Sequence, residues 1–148
     1  MRRDERAVTR VVGPTALEEA VARVGDRWTL LLVNSLLSGP RRFNELLDEL
    51  DGLAPNVLSK RLRHLEHEGV IVATPYSHRP PRFDYRLTAS GSELAGALRL
   101  LAHWGAAREP EATAVHHAAC GTPVEARWYC PTCARIVDVD DADEIRFV

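Results

Sequence analysis

Three observations predict an α+β fold, mainly α. Between Arg27 and Thr88 the chain reads helix, turn, helix, strand, basic tip, strand. The second of those helices carries its leucines on one face and its cations on the opposite face. All three cysteines fall in a short stretch after residue 119, two of them as Cys130-Pro131-Thr132-Cys133. Together these give a winged helix-turn-helix with a small C-terminal β zinc-ribbon-like appendage. The expected division is a DNA-binding and dimerisation domain over 1–109 and the extension over 110–148.

Taken in order, Thr15 to Val24 predicts a first helix with Leu17, Val21 and Val24 on one stripe. A short helix follows from Phe43 to Leu50, with Phe43, Leu46, Leu47 and Leu50 as its apolar side and Arg41 and Arg42 at its start. Asp51-Gly52-Leu53 has the length of turn that joins two crossed helices. From Pro55 to Glu68, Leu58, Leu62, Leu65 and Gly69 share one side, while Asn56, Lys60, Arg63, His64 and His67 lie roughly opposite. Pro55 suits a first helical position and Gly69 a left-handed cap. Ala54 cannot accept a capping bond, at a cost of about 1 kcal/mol, which the packing of the leucine face outweighs.

Val70 to Tyr76 is β-rich, Ser77 to Arg82 contains Pro80-Pro81, and Phe83 to Leu87 alternates, so a two-stranded wing is expected with His78, Arg79 and Arg82 near its tip. Thr88 can cap a final helix reaching about Trp104, with Leu94, Leu98 and Leu101 on its apolar side. The first and last helices carry more apolar surface than a small core needs, which suits dimer contacts; packing within one chain is the alternative.

In the tail, His117-x-x-Cys120 and Cys130-x-x-Cys133 are two corners of equal spacing. They supply four ligands of the number and type that a closed, tetrahedral structural Zn2+ takes. His116 competes with His117, and a redox pair or unmodified thiols are the other readings of the cysteines. Strands are expected from Val124 to Cys130 and from Arg135 to Val139. Asp138, Asp140, Asp141, Asp143 and Glu144 read as a solvated acidic end, with a hard-metal site as the rival.

Composition bounds the function. The chain has 148 residues, 45% hydrophobic, with no apolar run of membrane-spanning length and no secretory leader, so the cytoplasm is the expected location. Net charge is −2, but it is unevenly spread: sixteen basic residues face fourteen acidic ones up to Glu109, and three face seven after it. Ala54 to Arg82 holds five basic and two acidic residues, so the expected DNA face is basic although the molecule is not. The six histidines are scattered without a convergent acid–base pattern, which argues against an enzyme.

Double-stranded DNA is therefore the expected partner. Arg41, Arg42, Arg79 and Arg82 are placed to meet phosphates, and Asn56, Ser59, Lys60 and Arg63 to read base edges. Arg61 either pairs with an acid inside the domain or reaches a phosphate. A small-molecule effector is open: Trp28, Phe43 and Tyr85 either wall a cavity or pack as core. The alternative function is a winged-helix adaptor that binds acidic protein partners without specific DNA binding.

The blocks Gly25 to Leu32, Gly39 to Leu46, Leu58 to Glu66, Pro80 to Thr88 and His103-Trp104-Gly105 resemble the HxlR-type winged helix-turn-helix regulators of bacteria over roughly Gly13 to Gly105. The resemblance implies a dimeric transcription regulator, here expected to be a repressor, with dimer contacts from the first and last core helices. Oxidant-sensing members resemble one another in a Cys-Pro pair before the first helix. Here that pair is Gly13-Pro14, so the thiol sensor is absent from that position.

Overall fold

The structure, a computed structural model, describes residues 13–113, 115–138 and 140. The chain divides between Ala95 and Gly96 into two compact units, so the last helix groups with the tail rather than ending before it.

In the first unit, α1 (Ala16–Val24) begins at Thr15, whose hydroxyl accepts from the Glu18 amide while Glu18 accepts from the Thr15 amide. This reciprocal cap satisfies two donors that a helix start otherwise leaves open. It also draws the Glu18 carboxyl below its ordinary pKa, chiefly through the Thr15 amide. No residue of α1 is buried. In α2 (Arg27–Leu36) the Asp26 carboxylate caps the amides of Trp28 and Thr29, and Thr29, Leu32, Val33, Ser35 and Leu36 are buried.

The two-residue strand β1 (Arg41–Arg42) leads into α3 (Phe43–Glu49), where Glu45 accepts from the Arg42 amide at 2.6 Å. Gly52, at φ +80°, makes the turn into α4 (Pro55–His67). Leu58, Leu62 and Leu65 of α4 are buried, each contributing roughly 1.5–3 kcal/mol. The end of α4 is a full left-handed cap: Gly69 has φ +69°, its amide donates to Glu66 O, and the Val70 amide donates to Leu65 O. Ala54 makes no side-chain cap bond, as expected.

The wing is β2 (Ile71–His78) and β3 (Pro81–Leu87), antiparallel, with an irregularity between Pro75 and Ser77. It is longer than the sequence suggests, since the strands run to a two-residue tip, Arg79-Pro80, joined by a cis peptide. Of the Pro80-Pro81 pair that pointed to a longer loop, only Pro80 lies in the tip; Pro81 is the first residue of its strand, where a sheet tolerates proline, as it does Pro75 on the edge strand. β1 completes a sheet of order β1-β3-β2, with Arg41 opposite Tyr85 and Arg42 opposite Asp84.

Thr88 caps α5 (Ala89–Glu93) through the Gly91 amide, but the expected single helix is two: α6 (Ala95–Ala106) begins after a break at Leu94. Gly91 is buried so close to the Val70 carbonyl that a Cβ there would lie 2.1 Å from it. The Ser92 hydroxyl donates back to Thr88 O, a bond that bends helices. Gly91 and Gly96 flank the break, and glycine favours helix less than any residue but proline.

In the second unit, β4 (Trp128–Cys130) pairs with β5 (Arg135–Val137). The pairing lies where the sequence places it, with both strands shorter: the first begins at Trp128 and the second ends at Val137. Val139, Asp141, Asp143 and Glu144 lie outside the described residues.

Candidate nucleic-acid interface

The leucine face of α4 fixes which side chains it can offer outward. Leu58, Leu62 and Leu65 are almost fully inaccessible, and Asn56, Lys60 and Arg63 on the other side are exposed, with Ser59 half-buried beside them. Lys60 and Arg63 make no ion pair or side-chain hydrogen bond among the described residues. Two cations on one rigid helical face with no internal partner are available to an external anion.

Neighbouring polar residues are spent on holding α4 in place. His64 Nε2 lies 2.7 Å from the Arg23 carbonyl oxygen, and Arg23 Nη1 pairs with Glu68 at 3.0 Å. His64 thus belongs to the packing side rather than the outward face. Arg61 Nη2 pairs with Asp26 at 3.0 Å, which settles it as an internal partner, although its buried Nε has none.

The wing supplies Arg79 and Arg82, both exposed and unpaired among the described residues. Between wing and helix runs a polar cleft of about 640 Å³, lined by Arg42, Asn44, Ser59, Tyr76, Arg82 and Tyr85 among others. Burial raises the Tyr85 phenol above its usual pKa, with the Glu66 charge adding to the effect, so it remains a neutral donor at physiological pH. Phe43 and Tyr85 both line this cleft, but Trp28 does not. The Trp28 ring is covered instead by the Arg27 guanidinium, 4.5 Å from its centroid.

Arg41 and Arg42 have internal duties that the sequence did not suggest. Arg41 pairs with Glu49 at 3.4 Å and donates to Pro40 O, while Arg42 pairs with Asp84 at 3.3 Å and stacks over Tyr76 at 4.4 Å. Tyr76 and Asn44 are among the residues of this cleft that sequence reasoning missed. The bulky aromatic in a run of β-formers was a usable signal, whereas nothing local marks Asn44.

In the tail, His117 Nδ1 lies 3.3 Å from Cys120 Sγ, and Cys130 is hydrogen-bonded to Cys133. Hydrogen bonds from Thr122, then from His117, lower the Cys120 thiol to about 7. Those from Cys133 lower Cys130. The four predicted ligands therefore stand as two pairs. Among the described residues no group of three or more His, Cys, Asp or Glu side chains is gathered for a metal ion. No helix there is long and apolar enough to cross a membrane.

The fold and this outward face define a transcription regulator built on a winged helix-turn-helix. The profile of the HxlR-like helix-turn-helix family matches residues 23–113, and the chain belongs to that family. An uncharacterized HTH-type transcriptional regulator of Mycobacterium tuberculosis is 37% identical over 118 residues, covering 77% of this chain and 74% of that one. The HTH-type regulator YvaP of Bacillus subtilis is 40% identical over 87 residues, 59% of this chain and 81% of its own. A solved structure described as a transcription factor of Pseudomonas aeruginosa superposes with a TM-score of 0.68 at 31% identity, covering 84% of this chain and 86% of that one.

Proposed function

We propose that the protein is a sequence-specific, DNA-binding repressor that works as a homodimer in the cytoplasm. The observation that carries this reading is the α4 face, with Lys60 and Arg63 exposed and unpartnered directly opposite three buried leucines. Asn56, Ser59, Lys60 and Arg63 read base edges in the major groove, each good bidentate contact discriminating by about 1–3 kcal/mol. Arg79 and Arg82 meet phosphates beside the wing, a contribution that is blind to sequence and weakens with salt. Arg42, pinned by Asp84 and Tyr76, presents a preset guanidinium edge at the cleft, and Arg41 contributes least because Glu49 already holds it.

Dimerisation is supported by apolar side chains left in solvent. Leu17 and Val21 of α1 are 72% and 56% exposed, and Leu101 and Trp104 of α6 are 54% and 59% exposed. Two reading helices joined as a dimer would address half-sites about 34 Å apart, and one short half-site alone gives too little specificity over a genome.

A salt-titrated gel shift with genomic fragments tests the proposal. A regulator binds one promoter fragment far above the rest, and the logarithm of its binding constant falls linearly with the logarithm of salt concentration. Equal, weak retention of every fragment would favour the adaptor reading, in which the same cations serve acidic protein partners.

A further inference from the structure

We infer that the tail is a zinc-binding module in which His117 and Cys120 form one ligand pair and Cys130 and Cys133 the other. Each pair sits at the tip of its own small antiparallel hairpin. In the first, the His117 amide donates to Thr122 O and the Val124 amide to Val115 O, with His116 bridged to Pro123. In the second, β4 pairs with β5 and Cys130 stands opposite Arg135.

The two tips have the same construction. The first ligand is the last paired residue before the turn, and the second follows three positions later. The residue after that is left-handed in both: Gly121 at φ +69° and Ala134 at φ +52°. Ala134 is the sole non-glycine residue with positive φ among the described residues. An L side chain holds that conformation at a cost of roughly 1–2 kcal/mol, so the turn geometry is imposed by something beyond local preference. Within each tip the donors already face one another. His117 Nδ1 and Cys120 Sγ are 3.3 Å apart, close to the spacing that two ligands of one tetrahedral zinc adopt with bonds of about 2.0–2.3 Å. Cys130 Sγ is hydrogen-bonded by the backbone at Thr132 and Cys133, the kind of outer contact that steadies a metal-bound thiolate.

Energetics point the same way. Among the described residues of 115–138 none is buried. Two-stranded hairpins of this size are marginal in water without further support, and small folds without a core rely on metal ions or disulfides. A disulfide could join Cys130 to Cys133 and would leave the equally shaped His117–Cys120 tip without a role. The two tips are not gathered around one point in the structure. Binding therefore requires the connecting segment 124–127, which has no helix or strand, to bring them together.

The test uses the full chain, purified under reducing conditions without chelator, with zinc measured by mass spectrometry of the element. About one zinc per chain is expected for a single four-ligand site. Cys130→Ser with Cys133→Ser should lose it, as should His117→Ala, while His116→Ala should keep it. Reduced apoprotein titrated with Co2+ should develop thiolate-to-metal charge-transfer absorption, which reads the ligands without relying on any variant folding. Absence of zinc in the isolated protein together with no cobalt spectrum would overturn the inference. So would full zinc retention in the double serine variant, or isolation of Cys130 and Cys133 as a disulfide. None of these outcomes bears on whether α4 binds DNA, so this inference fails or stands separately from that reading.

Discussion

The winged-helix unit and the tail solve the same stability problem by opposite means. In the first, Leu32, Leu36, Leu46, Leu58, Leu62 and Leu65 come from three helices, α2, α3 and α4, and are nearly or fully inaccessible. In the tail, Trp128, Tyr129 and Ile136 are each more than half exposed. A leucine core fixes helix positions to within a side chain's packing tolerance, which is what a base-reading face demands. A short hairpin has no such interior, so its order has to come from its turns and from whatever its donor atoms hold.

The sharpest way to break this contrast is at the centre of the core. Leu62→Ala should cost about 2–5 kcal/mol, seen as a lower denaturant midpoint with DNA binding lost in parallel. Zinc content should stay at the wild-type value if the tail owes its order to ligands. A midpoint unchanged by the substitution would mean that the α4 leucines are not what secures the reading helix.

A smaller effect is expected at the end of α4. Gly69→Ala forces an L side chain to φ +69°, where the space is open but the backbone is not, so a loss of roughly 1–2 kcal/mol should follow. Thermal unfolding would read it, and no loss would show that the cap relaxes freely. The smallest change is a gain. Ala54→Ser restores a capping oxygen that α4 lacks, worth about 1 kcal/mol, and a melting temperature that does not rise would mean the cap is satisfied elsewhere.

Those two residues also show what sequence alone can and cannot reveal. Gly69, Pro55 and the Leu58-Leu62-Leu65 stripe were legible because helix periodicity and caps are local properties. The place of the hairpin Trp128–Val137 was legible because the C-x-x-C spacing implies a turn. Arg41 and Arg42 were legible only as cations. Their pairing with Tyr85 and Asp84 joins residues more than forty positions apart, and no local pattern encodes it. His64 was assigned to the outward face by its angle on the helix, yet the Arg23 carbonyl from α1 claims it. The break at Leu94 falls three residues after Gly91, whose close approach to the Val70 carbonyl is again a tertiary event.

Footprinting upstream of the protein's own gene with wild type and with Lys60→Ala, Arg63→Ala tests the central claim most directly. Site preference should disappear in the double variant while its circular dichroism and melting temperature stay at wild-type values, because both side chains are exposed and unpaired among the described residues. An unchanged footprint from a folded double variant would remove these two cations from recognition and contradict the assignment of α4 as the reading helix.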